Sequence, residues 1–272
     1  MKQTLPLKTQ NPFILTSLHP RPEAETRQKD ALTSWVEAGF RPVSLNFAEE
    51  MDGVRTCYNK FAEIVESKQP CSGAKKRKLV AVADLIEVSY GKNRGAFSLV
   101  LNADIILDPS AGDSLADEAG GVTMIPRWLV NACNQREGAE KDPWGYDGVR
   151  LGPELRGVFT NRSFGLGLPW WDYWIPFRAL HLGHAVRILS PPLAFHVRHE
   201  EQWDEKDRAR LAGEVWREVG VPPWKRLWRK HFGPRKERKI YGYHNHLAGH
   251  VRDHIQKIGE VVPKLPLGNP AC

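Results

Sequence analysis

Apolar residues fall into short runs, each closed by polar or turn-forming residues. FILTS at 13–17 is one such run, stopping at polar residues and Pro20. In PEAETRQKDALTSWVEAG at 22–39, Ala24, Ala31, Leu32, Trp35 and Val36, with Phe40 just beyond, recur mostly at spacings of three and four. That period predicts a helix, which Pro22 opens and Gly39 ends. PVSLNF at 42–47 predicts a strand, 54–67 a helix, and LVAVA at 79–83, after the basic run Lys75–Lys78, a buried strand ending at Asp84. FSLVLNADIIL at 97–107 is a further apolar strand, broken by Asn102 and Asp104. Beyond it, 122–126 predicts a strand, 169–182 a Trp-rich helix, 185–197 two short strands around Pro191–Pro192, and 205–219 a helix. There is no internal repeat.

Strands that are apolar along their whole length, alternating with helices, predict an α/β fold with a mostly parallel sheet covered on both faces. Ligands in such sheets sit beyond the carboxyl ends of the strands. The groups at those ends are Thr16, Ser17, Asn46, Asp84, Asn102 and Asp104.

Composition narrows the class. The 272 residues are 41% hydrophobic and 26% charged, ordinary usage for a globular chain of one large or two small domains. No apolar run approaches the roughly 18 residues of a membrane-spanning helix, and MKQTLPLKTQNPF holds no signal-peptide core, so the expected location is the cytoplasm. Cys57, Cys71, Cys133 and Cys272 are scattered without a CxxC, which excludes a zinc ribbon and gives no disulfide framework. The net charge of +7 resides wholly in 224–239, WKRLWRKHFGPRKERK, with eight Lys/Arg and one Glu. That segment divides the chain into a domain at 1–221 and a basic, helical extension at 222–272, whose partner would be an anionic surface.

Three clusters could carry chemistry. An acid where a hydrophobic strand emerges, as Asp104 does, needs a cation or donors, and carboxylate oxygen suits a hard divalent ion; a turn-capping Asp would look the same. WWDYW at 170–174 puts three Trp, a Tyr and Asp172 in five residues at a helix entry. The helix dipole favours the ionised carboxylate there, while flanking rings oppose it. In FHVRH at 195–199, His196 and Arg198 share one strand face, and His196 could complete a metal site begun by Asp104 or be a hydrogen-bonded core histidine. His246, His250 and His254 recur at i, i+4 and i+8, but no second element completes a zinc site.

The order LTSLHPRPEAETRQKDALTSW, AGFRPVSLN, LNADIIL, GYDGV, GLGLPWWDYWIP and LAFHVRHEEQW, over about residues 13 to 204, resembles bacterial GT-A-like glycosyltransferases that use nucleotide sugars. The resemblance implies a twisted sheet flanked by helices and a donor diphosphate bound with Mn²⁺ or Mg²⁺. The family's DxD position matches Asn102-Ala103-Asp104, departing at Asn102, whose carbonyl can coordinate but which brings no charge. On this pattern Asp104 and His196 are the metal ligands and Asp172 the general base. Thr16, Ser17, Arg21, Arg27, Asn46, Asp84 and Asn102 fall at the nucleotide, with Arg27 at the diphosphate. Arg127, Asp147, Trp170 and Trp171 fall at the substrates, Asp147 on sugar hydroxyls and the Trp rings stacked on sugar or acceptor. The acceptor would be a glycan, a protein or a nucleic acid.

Rival readings keep parts of this. A transferase that decorates modified DNA or another polyanion would dock through 224–239. A non-catalytic nucleotide-sugar-binding protein would explain Asn102 as the trace of a lost DxD. A nucleotidyltransferase would want a Gly-rich phosphate loop after the first strand, and LTSLHPRPE has none.

Overall fold

The computed structural model describes residues 11–74, 77–92, 96–116, 118, 120–131, 139–190, 192–198 and 205–218. The basic segment 224–239, the 222–272 extension, the three spaced histidines, His199, Cys133 and Cys272 lie outside them.

The chain runs β1 (Phe13–Thr16), α1 (Pro22–Glu37), β2 (Arg41–Asn46), α2 (Met51–Tyr58), β3 (Glu63–Glu66), α3 (Val82–Lys92), β4 (Ser98–Leu101), β5 (Ile105–Leu107) and α4 (Ala111–Ala116). It continues with β6 (Val122–Val130), β7 (Glu140–Leu151), α5 (Trp171–His181), β8 (Val186–Ile188), β9 (Ala194–Val197) and α6 (Glu205–Glu218). One sheet has the order β3-β2-β1-β4-β7-β6-β9-β5, with β8 also paired to β6. The first four strands are mutually parallel. β7 runs antiparallel to both β4 and β6, β8 and β9 run parallel to β6, and β5 runs antiparallel to β9. The expected α/β fold with a mostly parallel sheet flanked by helices is what the chain forms.

Alternation along the strands supplies two cores. Leu15 and Val100 face one, with α3, α5 and α6 above them. Ile14, Leu99 and Leu101 face the other, with Leu32 and Trp35 of α1 and Val54 and Tyr58 of α2. Trp35 is fully buried and its Nε1 donates to the Ile105 carbonyl at 2.7 Å. The Leu107 amide donates to Ser34 Oγ at 3.0 Å, so α1 grips the short strand β5 by polar bonds as well as by packing.

Two elements differ from expectation. The run 79–83 is buried, but only Val80 and Ala81 form isolated bridges, to Pro70 and Gly165, and α3 starts at Val82. An apolar run of five residues has the same pattern as a buried strand and as the entry of a buried helix. The helix expected over 54–67 ends at Tyr58, and Glu63–Glu66 becomes the edge strand β3. Glutamates at both ends of so short a strand discourage further pairing along the open edge.

Candidate functional site

The break at Asn102–Asp104 turns the chain out of β4 and into β5, which leaves the parallel set to pair with β9. In that pairing Ile105 lies opposite His196, so Asp104, one residue earlier, stands beside the imidazole. His196 Nε2 is 3.4 Å from Asp104 Oδ2. The other ring nitrogen, Nδ1, is 3.8 Å from Asp147 Oδ2.

Asp147 comes from β7, an element the sequence did not announce. Its backbone carbonyl accepts the Asn102 amide at 3.1 Å, and its Oδ1 accepts Asn102 Nδ2 at 2.9 Å. Arg127 of β6 donates to its Oδ2. Gly148 makes this approach feasible, because a Cβ there would stand 2.3 Å from Leu101 Cδ1.

Asp172 lies in the first turn of α5, and its carboxyl is pushed up to about 8. Removal from water is the largest cause and the nearby negative charge of Asp147 the next; its own and the Tyr173 backbone amides and the Arg127 cation pull the other way. Trp170, the residue before the helix, holds φ at +78°. A left-handed backbone at a bulky residue costs about 1–3 kcal/mol and persists only where its surroundings fix it. Here Trp170 Nε1 donates to the Arg208 carbonyl of α6 at 2.9 Å, and its ring meets Tyr173 edge-on.

Four segments distant in sequence thus meet at Asp104, His196, Asp147 and Asp172, with Arg127 and Asn102 between them. Adjacent ligands at about 2.1 Å from a small divalent ion stand roughly 3 Å apart, and the Asp104–His196 separation is close to that. Carboxylate and imidazole donors suit Mn²⁺, so this pair fits an ion whose remaining positions are filled by phosphates and water. No group of three or more His, Cys, Asp or Glu arranged for a metal occurs among the described residues.

The nucleotide-side residues divide. Thr16 is fully buried, with an Oγ1 that has no hydrogen-bond partner, and Ser17 is half-buried beside it. Arg21 is the exposed residue before α1, and Arg27 is half-buried within it. Asn46 is fully buried with its amide consumed internally: Nδ2 donates to the Leu18 carbonyl at 2.7 Å and to Glu50 at 3.1 Å, while Oδ1 accepts Ser44 Oγ at 2.6 Å. It latches the loop after β1 and does not face a ligand, because a buried amide at a strand end must satisfy itself within the chain. Asp84 stands in the first turn of α3 and not at a strand end, paired with Arg162 at 2.7 Å; burial raises its pKa against that cation.

On the substrate side, Trp170 and Trp171 are 5% and 2% exposed, so neither presents a ring face for stacking. Both belong to the core beneath α5, where their large apolar area outweighs any surface role. Asp147 is also buried, both oxygens engaged by its own chain, which removes it from sugar hydroxyls. Arg127 spends its charge on Asp147.

Sequence reasoning missed His19 and Arg77. His19 follows β1; burial lowers its pKa, Glu50 opposes this, and Arg21, Arg77 and Asp104 are all close enough to act on it. Arg77 donates to the Gly167 carbonyl at 3.3 Å, and burial and Arg21 lower its pKa. The signal available was the basic run Lys75–Lys78 itself, whose arginine turns toward the loop after β1.

No protein-family model and no curated protein matches the sequence. Among solved structures the chain is similar to the inositol-1-phosphate CTP transferase from T. maritima, at 13% identity over 79% of this chain and 98% of that one, with a TM-score of 0.44. It is also similar to S. aureus TarS residues 1–349 in complex with UDP-GlcNAc, at 10% identity over 90% of this chain and 81% of that one, with a TM-score of 0.47. These likenesses concern the path of the chain and not what it binds. No helix of the described residues is long and apolar enough to cross a membrane.

Proposed function

We propose that this chain is a glycosyltransferase that moves a sugar from a nucleotide-diphosphate donor to a hydroxyl acceptor with help from a divalent cation. The observation that supports this best is the convergence of Asp104 and His196, through Asp147, on Asp172, whose carboxyl is pushed up to about 8. A ligand pair beside a carboxyl group of raised pKa is what departure of a diphosphate coupled to deprotonation of a hydroxyl requires.

Asp104 and His196 would hold the cation, which when bound offsets the charge of the leaving diphosphate. Arg21 and Arg77, around the loop after β1, would supply a positive rim for the phosphates, with His19, held neutral by its burial, beside them as a hydrogen-bonding group. Asp172 accepts the proton of the acceptor hydroxyl as the oxygen attacks the sugar carbon. Its raised pKa makes it a stronger base than an ordinary carboxylate, although only about a tenth is ionised at pH 7.

The test is hydrolysis and transfer from a panel of sugar nucleotides, with and without Mn²⁺, in the wild type and in Asp104→Ala. Turnover that needs Mn²⁺ and is lost in Asp104→Ala supports the proposal. If no sugar nucleotide binds or turns over, it fails.

A further inference from the structure

Asn102, where the resembling family carries an acid, does not stand idle: its side-chain amide is the donor that holds Asp147 Oδ1 at 2.9 Å. An acid at that position would repel Asp147 instead. Arg127 holds the other oxygen from the β6 side. The carboxylate so fixed is 12% exposed at its side chain and stands on the Nδ1 side of His196, while Asp104 stands on the Nε2 side. The ring therefore lies between two acids with different surroundings. Asp147 is clamped by an amide and a guanidinium, and Asp104 is the more exposed of the two, at 25%.

We infer that Asp147 is a positioning residue for His196: clamped by Asn102 and Arg127, it takes the Nδ1–H of the imidazole and so turns Nε2, with its lone pair, toward the ion site shared with Asp104. The inference rests on the reading in which Asp104 and His196 hold a divalent cation. The 3.8 Å spacing is longer than a hydrogen bond, so the inferred contact requires the ring to swing toward Asp147 as Nε2 is drawn onto an ion. Ligating histidines generally give their second ring N–H to a carboxylate, and loss of that partner costs about 10- to 100-fold in metal affinity. It also accounts for the departure at Asn102, which exchanges a possible ligand charge for a donor to the carboxylate behind the ligand.

The experiment measures binding of Mn²⁺, alone and with UDP, by electron paramagnetic resonance, and follows imidazole ligation through the ¹⁴N coupling to the bound ion. In the wild type a ¹⁴N coupling that His196→Ala abolishes establishes the ion site. Asp147→Asn, which keeps the size of the side chain, is expected to weaken binding roughly 10- to 100-fold and to reduce or remove the coupling. A nearby negative charge acting through space alone would weaken binding and leave the coupling unchanged, and that result overturns the inference. Arg127→Met separates the two accounts by sign. Loss of a cation next to a metal site should tighten binding by charge alone, whereas release of Asp147 from its clamp should loosen it. Tighter binding in Arg127→Met overturns the inference even if Asp147→Asn does not fold. Absence of Mn²⁺ binding, or of a His196-dependent coupling in the wild type, overturns the metal reading and this inference with it.

Discussion

The two halves of the sheet use their polar residues in opposite ways. In the parallel half, β3-β2-β1-β4, Ser44, Asn46 and Glu50 bond to one another and to the Leu18 segment, so polarity at the strand ends holds a loop in place. In the other half, β7-β6-β9-β5, the polar residues Asp147, Arg127 and His196, with Asp104 at the junction, face one another across strands of mixed direction. A parallel set ends all its strands on one side, where caps and latches satisfy them locally. Once strands of both directions interleave, side chains from the middle of one meet the ends of its neighbours, and charges from four segments can be gathered at one point.

The largest expected effect tests whether the chemistry belongs to the second half. Asp172→Asn should lower transfer roughly 100- to 10,000-fold, since a base is lost and its volume kept. Its stability should change in a pH-dependent way. The folded pKa is raised from 3.8 to about 8, so the folded chain holds a proton that the unfolded chain releases. Wild-type stability is therefore lost progressively as pH rises from about 4 to about 8, and is level above. The unfolding midpoint of Asp172→Asn relative to wild type should climb across that window, as read by thermal melts at pH 5, 7 and 9. A constant difference would show that the carboxyl is not withdrawn from water.

Turnover of the wild type itself should follow the same group. If ionised Asp172 is the base, the rate at saturating donor rises about tenfold per pH unit below about 8 and levels above it. The levelling should vanish from the residual activity of Asp172→Asn. A profile that levels near pH 4 to 5 would remove Asp172 from the role.

Asn46→Ala brings the contrast to the parallel half. It deletes a buried amide with three internal partners and leaves the Leu18 carbonyl without its donor, which costs about 1–3 kcal/mol. Urea unfolding should register that loss while donor KM moves little. A large rise in KM with unchanged stability would put Asn46 back at the nucleotide.

The same contrast decides what the sequence could reveal. β1, α1 and β2 were legible because each buries a continuous run or a clear stripe, as in Ala31, Leu32 and Trp35 of α1. Asp104, His196 and Asp172 were legible as types at strand and helix ends. β7 was not, because EKDPWGYDGVRL carries Pro143, Gly145 and Gly148 among charges; Pro143 and Gly145 fall where the β6–β7 register shifts, and Gly148 lies opposite Leu101 in the pairing with β4. Since Asp147 lies on that strand, its bonds to Asn102 and Arg127 and its place beside His196 could not be read from spacing. The Trp cluster misled for the opposite reason: the density that marks a stacking site also marks a core, and Trp174 stacked at 4.5 Å on Phe164 shows which one formed.

The smallest expected effect concerns charge at the open edge of the parallel half. Lys92 at the end of α3 pairs with Glu63 on β3, and both side chains keep much of their exposure, 29% and 47%. An exposed pair gains little Coulomb energy in water and loses side-chain entropy in holding one geometry. Lys92→Met should therefore shift stability by less than about 1 kcal/mol in urea unfolding, and the shift should shrink further when salt is raised from 0.05 to about 0.5 M. β3 closes the sheet on this side with glutamates at both ends, so removing this positive partner leaves the edge more negative and no better suited to pairing with another chain. A loss of several kcal/mol, or the appearance of dimers by light scattering, would mean that this edge is held by its ion pair, and that the parallel half depends on charge as much as the half that carries Asp147.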